Sequence, residues 1–198
     1  MGAGDFDPAL LSPAEEDLII AADAGLLHLQ NAGIKPHLYV GDGDSLGFQP
    51  RGLETVVLPK VKDDTDTLAA LREGLRRGYR RFYLYGALGG ERFSHSIANV
   101  QTLAFLSSNG AEGTLIHPNC RVSLLTAGTF EMQSQGGYFS LFAYGGEASV
   151  TVEGAKYPLK EATLSPLFPL GVSNESQGAC RITVHSGRVL LIAESFRP

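Results

Sequence analysis

The sequence predicts an α/β domain with a mostly parallel sheet over residues 1–118, followed by a small all-β sandwich domain over residues 119–198. Three observations carry that prediction. In the first half, short apolar runs alternate with helical patterns and are followed by Gly or Asp rather than by a hairpin signal. After Pro118 the runs turn β-prone, lie between Gly-rich or polar turns and lose the helical period, which fits a small antiparallel sandwich or barrel. The chain has 198 residues, and at roughly 150 residues per domain that length holds one medium unit or two small ones.

The elements follow in order. Met1-Gly2-Ala3-Gly4-Asp5 reads as the loop after a strand, with only Met1 ahead of the glycines, so either translation starts further upstream or the sheet has a shorter edge. Ser12-Pro13-Ala14-Glu15 offers a helix N-cap, a Pro at the first helical position and a Glu three residues on. Residues 18–22, 38–40, 55–58, 82–85 and 114–116 read as strands buried on both faces, as in a parallel sheet covered by helices. Residues 24–32 read as a helix closed by Gly33, and Thr65 to Arg77 as one carrying Leu68, Leu71 and Leu75 on one face and stopping at Gly78. Ser94 to Ser108 carries Ile97, Val100, Leu103 and Ala104 before Gly110. In the second half, strands are predicted over 121–125, 138–143, 148–152, 180–184 and 189–192. The many turns agree with 24 Gly and 10 Pro, well above the usual share of roughly 12% for the two together.

Composition excludes several functions. Sixteen basic against 21 acidic residues leave a net charge of -5 with no long basic run, which disfavours nucleic acid or an anionic membrane surface as partner. An anionic ligand would need a metal ion to mediate. No apolar run approaches the eighteen or so residues that span a bilayer. Cys120 and Cys180 share no close-spaced ligand motif and no secretory leader is evident, so free thiols in a reducing cytoplasm are expected.

Chemistry concentrates in three loops of the first domain. Asp42 and Asp44 sit in Gly41-Asp42-Gly43-Asp44-Ser45; Asp63, Asp64 and Asp66 sit in Lys62-Asp63-Asp64-Thr65-Asp66-Thr67. Both loops follow predicted strands, whose carboxyl ends form the ligand crevice of an open α/β sheet, where Asp23 joins them. Crowded carboxylates repel one another unless a hard cation sits among them, and carboxylates with phosphate oxygens and waters are the usual Mg2+ donors. A surface turn and a capped helix would explain each loop singly; two acidic loops at equivalent strand ends favour the cation. The third loop, Gly86 to His95 with Gly89 and Gly90, runs from strand to helix, where backbone N–H groups can take phosphate oxygens and Arg92 can add a bidentate grip. His95 and Asn99 alone read as capping or packing residues. In the second domain Gly171-Val172-Ser173-Asn174-Glu175 reads from its residues as a turn.

Together these segments resemble the thiamine pyrophosphokinase family. The resemblance runs in order through Ala22-Asp23-Ala24-Gly25, Pro36, the two acidic loops, Gly89-Gly90 with Arg92, His95 and Asn99, Gly154-Ala155-Lys156-Tyr157 and Gly171 to Glu175. It implies transfer of a diphosphate from ATP to the hydroxyl of thiamine, by a homodimer built of a Rossmann-like nucleotide-binding domain and a β-sandwich, with thiamine bound where subunits meet. By position, it implies Mg2+ and the ATP phosphates on Asp42, Asp44 and Asp66, which also form the catalytic group. ATP contacts fall to Asp23, Lys62, Asp64, Thr65, Gly89, Gly90, Arg92 and His95, and thiamine contacts to Ser173, Asn174 and Asn99. Two departures stand out: Ser94 replaces the Asp usual before the equivalent of His95, and Glu91 is an additional residue between the Gly pair and Arg92, placed to compensate. Ser94, together with the missing first strand, keeps a catalytically weakened thiamine or nucleotide sensor as an alternative reading. Another Mg2+-dependent Asp-x-Asp glycosyltransferase or phosphohydrolase is the second alternative, although it leaves the Lys62 to Thr67 loop unexplained.

Overall fold

The structure is a computed structural model that describes residues 1–44, 46–48, 50, 52–59, 64–133 and 137–194. The chain is mixed α/β, with a parallel three-stranded sheet and a larger mixed sheet. It divides into two compact units, Met1–Pro118 and Asn119–Pro198.

In the first unit, β1 (Ile20–Ala22), β2 (Leu38–Gly41) and β3 (Glu54–Val57) pair in parallel in that order, and β4 (Arg81–Tyr85) pairs in parallel with β5 (Glu112–His117). Alternation along β1 and β2 sends side chains to opposite faces. Ala21 and Tyr39 pack with Leu26 and Leu29 of α1 (Gly25–Asn31), whereas Ala22, Leu38 and Val40 pack with Ala70 of α2 (Asp66–Arg76). Met1 to Asp5 run beside β1 and the end of β4: the Ala22 N–H donates to the Met1 carbonyl at 2.8 Å, and the Gly2 N–H to the Tyr85 carbonyl at 2.8 Å. Of the strands expected to be buried on both faces, only β2 is buried throughout; Val57 of β3 and Tyr83 of β4 are exposed.

Two helical expectations change. No α-helix forms at Ser12–Glu15. A 3-10 turn at Pro8–Leu10, capped by Asp7, comes instead, and the Asp17 carboxylate takes the Ala14 N–H at 2.8 Å. That local side-chain bond competes with helix, and Ile20 already belongs to β1, leaving too few residues for a stable helix. The helix α3 (Phe93–Ser108) forms, but it buries Ser96, Asn99, Thr102, Leu103 and Leu106 while Ile97 is exposed. Its inward face near the N-terminus is polar because each of those polar groups has a backbone partner.

The second unit is antiparallel throughout its observed pairings. Its strands are β6 (Cys120–Leu125), β7 (Gly128–Gln133), β8 (Tyr138–Ala143), β9 (Ala148–Ala155), β10 (Leu159–Leu164), β11 (Gly171–Ser186) and β12 (Val189–Glu194). Its core joins Phe139, Leu141, Val150, Val152, Leu164, Ile182 and Val189. β7, β10 and the first half of β11 were not expected. Residues 171–175, read as a turn, form a strand whose register against β8 breaks between Gly171 and Asn174, where Ser173 adopts a left-handed φ of 56°. Such a bulge re-aims a side chain without ending the strand. Both cysteines are free thiols.

Candidate active site

The acidic cluster forms where two neighbouring parallel strands end. Asp23 follows β1, and its N–H donates to the Val40 carbonyl at 2.9 Å, which ties it to β2. Its φ is 47°, a left-handed conformation uncommon for a residue with a side chain. Beyond the end of β2, the Asp44 N–H donates to Asp42 Oδ1 at 3.1 Å across Gly43, whose φ of 78° lets the chain turn back. The result brings one carboxylate oxygen from each of Asp23, Asp42 and Asp44 within 4.8 Å of one another. Three negative charges at that spacing are mutually unfavourable. Asp23 Oδ1 is also buried and has no hydrogen-bond partner, a costly state for a carboxylate oxygen.

Asp66 opens α2 and stands outside this group of three, although its charge reaches the same space. Burial, together with the charges of Asp23, Asp66 and Asp42, pushes the Tyr39 phenol up to about 12. Of the rest of that loop, the Thr65 hydroxyl accepts the Leu68 N–H at 3.1 Å as the N-cap of α2, and Asp64 pairs with Arg72 at 3.0 Å. Lys62, Asp63 and Ser45 lie outside the described residues.

The glycine loop is held from behind by α3. Asn99 Nδ2 donates to the Ala87 carbonyl at 2.7 Å, and the Gly89 N–H donates to Ser96 Oγ at 3.1 Å. Gly89 and Gly90 both have φ of 75°. The Gly90 N–H donates to Asp5 Oδ1 at 3.3 Å, and a Cβ on Gly89 would collide with the same carboxylate. Asp5 Oδ2 in turn lies 3.3 Å from His117 Nε2. This loop therefore already presents an amide to a negative oxygen. Arg92 occupies the N-cap position of α3, and Arg92, Ser94 and His95 are all exposed, as is Glu91.

In the second unit, Asn174 is buried and held by three hydrogen bonds: Oδ1 accepts from the Tyr157 and Glu175 N–H groups at 3.0 and 2.9 Å, and Nδ2 donates to the Tyr157 carbonyl at 2.7 Å. The neighbouring Ser173 is exposed, with its N–H donating to Ser140 Oγ at 3.1 Å. Lys156 pairs with Glu175 at 2.7 Å. Asn174 thus locks the bulge that presents Ser173. Tyr39, Ser96 and Asp5 were not singled out in the sequence. Ser96 lies three residues before Asn99, a helical spacing that could have signalled a shared polar face; Tyr39 sits in an apolar run and carries no such signal.

Comparison with known proteins identifies the family of the chain. Residues 12–113 match the thiamin pyrophosphokinase catalytic domain and residues 129–190 the thiamin pyrophosphokinase vitamin B1 binding domain. A curated thiamine pyrophosphokinase from Bacillus subtilis (strain 168) is 28% identical over 170 residues, 81% of this chain and 79% of that protein. The solved thiamine pyrophosphokinase of Bacillus subtilis superposes with a TM-score of 0.87 at 23% identity, covering 98% of this chain and 97% of the other. That of Geobacillus thermodenitrificans gives 0.81 at 24% identity over 98% and 95%; the yeast enzyme gives 0.73 at 16% over 91% and 78%. With both family domains matched in order along one chain, the protein belongs to the thiamin pyrophosphokinase family of diphosphotransferases.

Proposed function

We propose that Asp23, Asp42 and Asp44 hold a Mg2+ ion with the phosphates of ATP, that the Gly89-Gly90 loop and Arg92 receive the same nucleotide, and that Ser173 contacts thiamine. The observation carrying this reading is the convergence of three carboxylates at adjacent strand ends. An all-oxygen acidic donor set, one carboxylate oxygen from each of three residues, fits a hard cation. When bound, that ion would offset phosphate charge that the carboxylates otherwise repel. Asp66, outside the group of three, takes the part of general base. The thiamine hydroxyl oxygen forms a bond to the β-phosphorus, the bond from that phosphorus to the α-phosphate oxygen breaks, AMP leaves with the electron pair, and the hydroxyl proton goes to a carboxylate. The protein's share is orientation and fixed charge.

Lys62, Asp64, Thr65 and His95 line the same reading as nucleotide contacts. Asn174 and Asn99 enter it as supports for Ser173 and for the glycine loop. The family likeness supports a Rossmann-like layout for the first unit and a β-sandwich for the second. A homodimer is consistent with exposed Leu167, Phe168 and Tyr157 on the second unit, and light scattering in solution tests it. Free thiols at Cys120 and Cys180 suit a reducing cytoplasm, and among the described residues no helix is long and apolar enough to cross a membrane.

The test is incubation with ATP, Mg2+ and thiamine. AMP and thiamine diphosphate should appear in equal amounts. Binding without AMP would mark a sensor, and ADP or free phosphate a different enzyme.

A further inference from the structure

Tyr39 is wholly buried, and its hydroxyl has no hydrogen-bond partner. The Gly43 amide approaches the oxygen without reaching hydrogen-bond geometry. The hydroxyl lies beneath the acidic cluster: a Cβ on Gly41 would meet Tyr39 Oη at 2.7 Å and Asp23 Cα at 3.3 Å, so only glycine at 41 leaves room for the phenol to reach the Asp23 side. Two buried polar atoms without partners, Tyr39 Oη and Asp23 Oδ1, therefore occur in one small region. One is a donor and the other an acceptor. A phenylalanine would fill the same apolar space against Leu26 and Leu29 without stranding a hydroxyl.

We propose that Tyr39 is a positioning residue for the cation site: with the ion bound, its hydroxyl donates to the inner oxygen of Asp23 and so turns the outer oxygen toward the ion. Hydrogen bonds to the far side of a ligating carboxylate fix its rotation and tune its affinity. The cation-free protein carries the unmade hydrogen bond as a local instability, which loading removes. The inference rests on the reading of Asp23, Asp42 and Asp44 as the cation site.

Tyr39→Phe tests it with Mn2+ as the probe, free ion being counted by electron paramagnetic resonance, and with Mg2+ by competition. Mn2+ affinity should fall about tenfold, while the melting temperature without any divalent ion stays the same or rises. Unchanged Mn2+ affinity in the variant, or a melting temperature lowered in the absence of the ion, overturns the proposal. If the unaltered protein binds no Mn2+, the site reading fails and the inference with it; if it binds Mn2+ and only the variant comparison is flat, the inference alone fails. The unaltered protein supplies a second readout: Mg2+ should shift one tyrosine toward the hydrogen-bond-donor form in the ultraviolet resonance Raman spectrum, and no shift overturns the assignment.

Discussion

Asn99, nearly two turns into α3, donates its side-chain amide to the Ala87 carbonyl at 2.7 Å, and this buried bond ties the helix to the glycine loop. Asn99→Ala would leave that carbonyl buried without its donor, at a cost of about 1–3 kcal/mol. Denaturant unfolding should show a lower midpoint with unchanged slope. Because the loop that loses its brace is the one assigned to phosphates, the Michaelis constant for ATP should rise more than that for thiamine. The reverse order would make Asn99 a thiamine contact instead.

Charge removal separates Asp44 from Asp66. Asp44→Asn relieves repulsion within the group of three, so the variant should be at least as stable without divalent ions, yet turnover should fall by about 100-fold or more. Asp66→Asn removes a negative charge from the first turn of α2, where it complements the helix dipole, and should cost about 0.3–1 kcal/mol of stability. Its effect on Mn2+ affinity should be smaller than that of Asp44→Asn. Titrations of the two variants side by side check both signs.

The acidic loops were legible in the sequence because strand ends and Asp-rich turns are local signals, and a parallel sheet then brings the ends of β1 and β2 together. That Asp23 joins these loops was legible from its place after the first strand; what was not legible is the left-handed backbone at Asp23 and the Val40 carbonyl that accepts its N–H, which set it beside Asp42 and Asp44. The inward face of α3 was misread for a related reason. Apolar periodicity counts Ile97 and Val100, whereas the fold buries Ser96 and Asn99, whose partners lie in a loop. In the second unit, the polar stretch at the start of β11 looked like a turn because its hydrogen bonds run to β8 and to Asn174, far from it or hidden within it.

Acid should weaken the tie between β3 and α2. Glu73 accepts from Arg76 and Arg77 at 2.7 Å, and Arg77 also reaches Glu54 on β3. The hydrogen bonds from Arg76 and then Arg77 lower the Glu73 carboxyl to about 2 from a usual 4.5. A depressed carboxyl contributes stability above the unfolded value, and that contribution is lost as pH falls from about 4.5 toward 2. Melting temperatures of the unaltered protein and Glu73→Gln should therefore differ at neutral pH and converge across that window. Partial solvation of Arg76 keeps the difference modest.

Ser173 allows chemistry and conformation to be separated at one position. Its φ of 56° places it where glycine is unstrained, and it is exposed beside a buried, hydrogen-bonded Asn174. Ser173→Ala removes the hydroxyl but keeps the strain, so stability should hold while the Michaelis constant for thiamine rises. Ser173→Gly removes both; relief of a left-handed side chain, roughly 1–2 kcal/mol, is partly offset by the freer unfolded chain, roughly 0.5–1 kcal/mol. The glycine variant should melt slightly higher than the alanine variant with the same defect toward thiamine. Equal Michaelis constants in all three proteins would remove Ser173 from the thiamine site, and a defect in the glycine variant alone would mean that rigidity of the bulge, not the hydroxyl, is what thiamine requires.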